Sequence, residues 1–359
     1  MEMESERFER VMAAVRHEVP DRVPWTLWSH FPAIPWIPNY SWEKASRDGE
    51  ELAKSHMALL RELDYNMDLL KVTPFFRFMA QQWGSRFTFT NNTGSDKDEN
   101  YIVKNPDDWE KLWVLDPRKE LREQLRAIEI LARDLRRMPF IESISSPMNQ
   151  ALHGIADPQT VYETMKTQPD ALKEGLETIA QTCIDFSQAC IDEGASGIFY
   201  GMGARGSFWS RMNQNELEKW ELEYDKKILE AVKAPIKLLH ICNVRDENPQ
   251  KDGGLMEAGW FKKFPINIIN WDSHVFTSLE KAKEIYGDQF CILGGLNQTA
   301  TLRKGTPEMV MEEARKAIKS MWDGAGFILG AGCVTPWDTP LANLNAVGRA
   351  ALKYGVYKC

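Results

Sequence analysis

Nowhere in its 359 residues does the chain carry an apolar run approaching the roughly 18–20 residues of a helical membrane span, so no such span is expected. It has no basic stripe either. A net charge of −8 and a pI of about 5.5 make nucleic acid an unexpected partner. Six cysteines over this length are too sparse for a disulfide scaffold, which points to a reducing, cytoplasmic setting. The opening stretch, MEMESERFERVMAAVRHEVPDR, is charged throughout and lacks the apolar core of a secretory signal. No Gly-x-Gly-x-x-Gly turn follows the first apolar run, which argues against an open dinucleotide-binding sheet. Internal repeats and low-complexity linkers are also missing, so residues 1–359 are expected to form a single domain.

What the chain does have is alternation. Residues 5–18 form an amphipathic pattern, with Phe8, Val11, Met12 and Val15 at helical spacing. Short apolar runs follow at 22–28, 68–73, 139–145, 196–202, 235–242, 265–271, 290–296 and 326–332. Segments rich in Glu, Lys, Ala and Leu lie between most of them, at 158–194, 214–233, 276–287 and 307–322. Eight candidate strands alternating with helices predict a parallel α/β fold. A closed (β/α)8 TIM barrel, preceded by the N-terminal helix, is the natural eight-strand solution, with its active site at the strand C-termini. The aromatic interval SHFPAIPWIPNYSW predicts a long loop over the barrel mouth followed by a helix. Residues 78–115 predict an excursion or small hairpin.

Two of those strand ends carry metal-ligand chemistry. His240 and Cys242 stand as His-x-Cys at the end of PIKLLHIC, and residues two apart on a strand point the same way. Cys333 ends the run GFILGAGC. One nitrogen and two sulfurs would leave a fourth position open on zinc, the pattern of a catalytic rather than a structural site. The expected inward phases are Ile236, Leu238, His240 and Cys242 on one strand, and Phe327, Leu329, Ala331 and Cys333 on the other. On these residues alone, two buried core cysteines and a hydrogen-bonded histidine explain the pattern equally well.

The sequence as a whole resembles the uroporphyrinogen decarboxylase superfamily, and within it the zinc-dependent, corrinoid-linked methyltransferases. The resemblance begins at ERVMAAVRHEVPDRVPW. It continues through LLHIC and INWDSHVFTSLEKAKEIYGDQFCILGGLNQTATLRKGTPEMVMEEARKAI. It closes at GFILGAGCVTPWDTPLANLNAV, which is similar to the family's Gly-Cys…Thr-Pro-x-x-Asn motif. It implies a (β/α)8 barrel with Zn2+ on His240, Cys242 and Cys333, as in members of the methylcobalamin:coenzyme M methyltransferase type. It further implies methylcobalamin or a related corrinoid as methyl donor or acceptor, presented by a partner corrinoid protein, with a small thiol or methylated compound as the other substrate. There are two departures. Asn243 stands where methyltransferase members commonly have Gly. The region LWSHFPAIPW also lacks the Arg-x-x-Gly-Arg by which decarboxylases grip propionates, so porphyrinogen decarboxylation is not expected.

Other strand ends supply candidate substrate contacts. Asp272 is a candidate to orient the histidine ligand or bind substrate, with a turn or helix cap as the alternative. Asn297 and His30 are further candidates, against a cap and a plain loop residue respectively. Glu142 is read either as a displaceable metal ligand or as half of a buried ion pair, and Arg205 as an anion contact or a surface pair. Of the thirteen tryptophans, Trp25, Trp28, Trp36, Trp271 and Trp337 fall near predicted strand ends, where they would line a pocket or a corrinoid-docking surface or simply pack. A metal-free lyase and a non-catalytic binding subunit are the competing functions. Monomer and homodimer are both compatible with the sequence.

Overall fold

All eight apolar runs become parallel strands. They are β1 (Trp25–Thr26), β2 (Leu70–Val72), β5 (Phe140–Ser145), β6 (Gly197–Met202), β7 (Ile236–Ile241), β8 (Ile268–Asn270), β9 (Cys291–Leu296) and β10 (Phe327–Ala331). The expected excursion is an antiparallel hairpin of β3 (Arg86–Phe89) and β4 (Asp96–Asn100). This computed structural model describes residues 6–29, 41–63, 66–75, 77–89, 96–135, 138–203, 212–242, 254–322 and 325–357. His30, Trp36, Asn243 and Arg205 lie outside them.

The parallel strands pair in the order β1-β10-β9-β8-β7-β6-β5-β2. Hydrogen bonds stitch the seam between β1 and β2. Asp68 N donates to Trp25 O at 3.0 Å, Trp25 N donates to Asp68 Oδ2 at 3.0 Å, and Thr26 Oγ1 donates to Leu69 O at 2.7 Å. The result is a (β/α)8 barrel. Helices such as Gly49–Glu62, Pro169–Asp192, Leu279–Tyr286, Pro307–Ser320 and Leu341–Tyr354 surround it. The expected helical stretch 158–194 is two helices, because Pro169 lacks the amide that would continue the first.

Alternation along the strands sorts side chains into two cores. Leu69, Ile141, Phe199, Ile236, Leu238, Ile268, Cys291, Leu293 and Ile328 fill the barrel interior. Leu70, Val72, Ile144, Ile198, Leu239, Ile241, Ile292 and Leu329 pack outward against the helices. Burial on both faces is why the strands read as continuous apolar runs. The N-terminal helix α1 (Glu6–Val15) turns Val11, Ala14 and Val15 into the interior and closes the barrel at its N-terminal end. Beneath it the fully buried Asp68 carboxylate accepts from Arg10 at 2.8 Å and from Arg22 at 2.7 and 2.9 Å.

One expected phase is corrected. On β10, Phe327, Leu329 and Ala331 belong to the outer core and Ile328 to the inner one. The strand ends at Ala331, and Cys333 reaches the interior side because the chain has left the sheet there.

Candidate metal centre

The site is built where β7 and β10 end. Ile236 and Leu238 fill the interior, so His240, next in the same phase, is aimed at the mouth. Cys242 follows, its amide donating to Met202 O at 2.8 Å. Two glycines allow the close approach of the carrying segments. Gly203 has φ +109° and a side chain there would stand 2.1 Å from Cys242 O; at Gly332 it would stand 2.6 Å from Asp272 Cα.

The three donor atoms of His240, Cys242 and Cys333 lie within 4.8 Å of one another. Cys333 Sγ is 3.6 Å from His240 Nε2. Donors on one tetrahedral zinc, with bonds of ~2.0–2.3 Å, stand about 3.3–3.8 Å apart. The spacing therefore suits one ion after only small adjustments. His240 and Cys333 are both buried.

Asn270 sets the histidine. It sits in register with His240 across the β7–β8 ladder. Its Nδ2 donates to Leu293 O at 2.9 Å and to Ala331 O at 3.1 Å. Those two acceptors fix the amide orientation, so Oδ1, 2.5 Å from His240 Nδ1, must accept a hydrogen bond from the ring N–H. Nε2 is thereby left as the lone pair facing Cys333. This is the tautomer, with Nε2 free, that a metal ligand would need.

The two sulfurs are coupled to each other. The Cys333 thiol is held well above its ordinary pKa by its hydrogen bond with Cys242 and by burial. Two adjacent thiolates would repel each other, so a positive ion is what makes their joint deprotonation favourable.

Around the ligands stands an aromatic wall. The Phe199 ring lies 5.2 Å from the His240 ring, and Trp28 lies 5.3 Å from Phe199 and 6.1 Å from His240. Lys71 shares the inward phase with Leu69. Its Nζ stands 4.3 Å over the Phe199 ring and donates to Thr73 Oγ1 at 3.0 Å. Burial pushes the ammonium down to about 8, against an opposing pull from Cys333, Glu142 and Cys242.

The remaining candidates separate. Asp272 occupies a turn after β8, accepting from His274 N at 3.0 Å and from Gln298 Nε2 at 2.6 Å. The partner of His240 is Asn270, so the orienting part expected of Asp272 is taken by the residue two positions earlier. The Asn297 oxygen caps the following turn, accepting from Thr299 N at 3.1 Å and Ala300 N at 2.8 Å. Glu142 alternates with the inward Ile141 and so lies on the outer face, where burial raises its pKa well above the ordinary carboxylate value, against the pull of Lys71. Among the described tryptophans of the expected group, Trp28 adjoins the ligands. Trp25 and Trp271 are packed in the outer core, and Trp337 is exposed. Sequence reasoning missed Asn270, Lys71 and Phe199. A polar residue at an inward position of an otherwise apolar strand was the available signal for the first two.

The family model described as uroporphyrinogen decarboxylase (URO-D) matches residues 6–354. The chain belongs to this family. Within the URO-D family it is 25% identical to the methylcobamide:CoM methyltransferase MtbA of Methanosarcina mazei, over 96% of this chain and 97% of that protein. It is also 25% identical to a uroporphyrinogen decarboxylase of Pseudoalteromonas translucida, over 69% of each. A solved structure described as a methyltransferase from Methanosarcina mazei superposes with a TM-score of 0.80 at 18% identity, covering 98% of this chain and 99% of that one. That superposition speaks to the barrel fold alone. Among the described residues, no helix is long and apolar enough to cross a membrane.

Proposed function

We propose that this protein is a zinc-dependent methyltransferase. It moves a methyl group between a corrinoid, carried by a partner corrinoid protein, and a small thiol or methylated substrate. The observation that carries the reading is the convergence of His240 Nε2 with the Cys242 and Cys333 sulfurs at the C-terminal end of the barrel. The near-full-length likeness to relatives named as methylcobamide:CoM methyltransferases supports the same reading.

His240, Cys242 and Cys333 would hold the ion. Bound there, zinc would supply Lewis acidity that lets a substrate thiol exist as thiolate at neutral pH. The chain's own groups do the rest. Asn270 holds the imidazole in one tautomer and one orientation. The Cys242 and Cys333 sulfurs release their protons on metal uptake. Trp28 and Phe199 give the site an apolar wall that excludes water and strengthens local electrostatics. The thiolate, not the thiol, is the nucleophile toward a methyl carbon. A methylated corrinoid would supply the methyl group; the sulfur that accepted it would become a thioether, and the electron pair of the broken carbon–cobalt bond would stay with cobalt. A metal-free lyase has no use for two converging sulfurs beside a tautomer-locked histidine, which favours the transferase.

The test mixes the zinc-loaded protein with methylcobalamin and a panel of thiols, coenzyme M and homocysteine included, and follows the cobalamin spectrum. Demethylation with at least one thiol is expected. Absence of zinc uptake, together with a flat spectrum in both directions of transfer, would overturn the reading. Porphyrinogen turnover would establish the lyase, and stable complex formation without turnover the binding subunit.

A further inference from the structure

Lys71 is the one lysine or arginine at an inward strand position among the described residues, and its side chain is only 4% exposed. A buried ammonium is costly unless an anion compensates it. Among the described residues, no carboxylate forms an ion pair with it. Glu142, whose field reaches Lys71, lies on the opposite, outer face, and burial raises its pKa well above the ordinary carboxylate value. The partners that Lys71 has are neutral: the Thr73 hydroxyl at 3.0 Å and the Phe199 ring at 4.3 Å. That same ring touches His240. Thiolates at Cys333 and Cys242 are the other negative charges whose field reaches Lys71.

Charge counting then gives Lys71 a task. Two thiolates and a neutral imidazole around a divalent cation form a neutral centre. A neutral fourth ligand leaves it neutral, whereas a thiolate makes it singly negative. A fixed cation one aromatic ring away favours the second outcome. We propose, building on the reading above, that Lys71 is a specificity-determining residue that biases the open position toward an anionic sulfur ligand, making a free thiol rather than a neutral methylated compound the preferred small substrate. It acts on the charge at sulfur and makes no claim on the tail of the substrate.

Calorimetric binding to the zinc-loaded protein tests this with three probes: 2-mercaptoethanol, its S-methyl thioether, and 3-mercaptopropionate. In Lys71→Met the affinity ratio of each thiol to the thioether should fall on the order of 10-fold or more, as loss of one nearby buried charge implies. Both thiols should lose by similar factors. Lys71→Gln, checked like Lys71→Met for a wild-type circular dichroism spectrum and zinc content, should behave the same way. A loss confined to 3-mercaptopropionate would mean that Lys71 reads the tail, and an unchanged ratio would mean that it does neither; either overturns the inference. A wild-type protein that takes up no zinc would overturn the underlying reading instead.

Discussion

Asn270 offers the sharpest perturbation, because it makes three buried hydrogen bonds with one side chain. Asn270→Ala strips the acceptor from His240 Nδ1 and the donors from Leu293 O and Ala331 O. Each buried group left unpaired costs ~1–3 kcal/mol, partly relieved if water enters the space. A stability loss of about 3 kcal/mol in the metal-free protein is expected. The effect on metal is separate. Without Asn270 the ring is free to rotate and to place its proton on Nε2, the atom facing Cys333. Loss of such an orienting partner typically weakens metal binding ~10–100-fold. Asn270→Asp divides the two effects. It keeps an acceptor for the imidazole but turns carboxylate oxygen toward two carbonyls, so stability should fall while zinc affinity falls less than in the alanine variant. Chelator competition reads the affinity, and thermal unfolding of the metal-free protein reads the stability. An Asn270→Ala protein that binds zinc as tightly as the wild type would refute the argument that this amide selects the ligand tautomer, whatever its stability.

About one zinc per chain is expected after purification without chelator, and Cys242→Ser or Cys333→Ser should lose it; metal analysis decides, and full retention in both variants would remove the centre. Asp68→Ala should destabilise the protein by about 3 kcal/mol, because it takes the carboxylate from the partly buried Arg22 and leaves Arg10 only its pair with Asp21; urea unfolding that shows less than about 1 kcal/mol would contradict this. His56 should make stability sensitive to acid. Its Nε2 accepts from Thr73 N at 2.9 Å and burial lowers its pKa to about 4. The unfolded chain then binds the proton first, so this contribution is complete above the unfolded value near ~6.5 and is lost as pH falls toward 4, in total on the order of 3 kcal/mol. His56→Gln should flatten that part of the stability–pH curve; an unchanged curve would show that other groups set it.

Periodicity made much of the fold legible. Eight apolar runs separated by helix-period segments specify strands and crossovers, and parallel connections with short, right-handed crossovers leave few ways to arrange them. The His-x-Cys pair was legible for the same reason: a spacing of two on a strand fixes a common direction, and Ile236 and Leu238 set the phase. Cys333 was legible as a residue but not as a geometry, because it lies beyond the end of β10, where alternation no longer applies.

The sequence by itself determined the barrel, the candidate ligand types and the strand ends that bear them. These follow from interactions between residues close together along the chain. Tertiary structure alone decided that Cys333 meets His240 across ninety-three positions, that Asn270 rather than Asp272 holds the imidazole, and that Lys71 faces inward while Glu142 faces outward. Each of those depends on the register between neighbouring strands and on where a strand stops. Register is a property of the closed sheet, in which a shift of one residue turns every side chain to the opposite face.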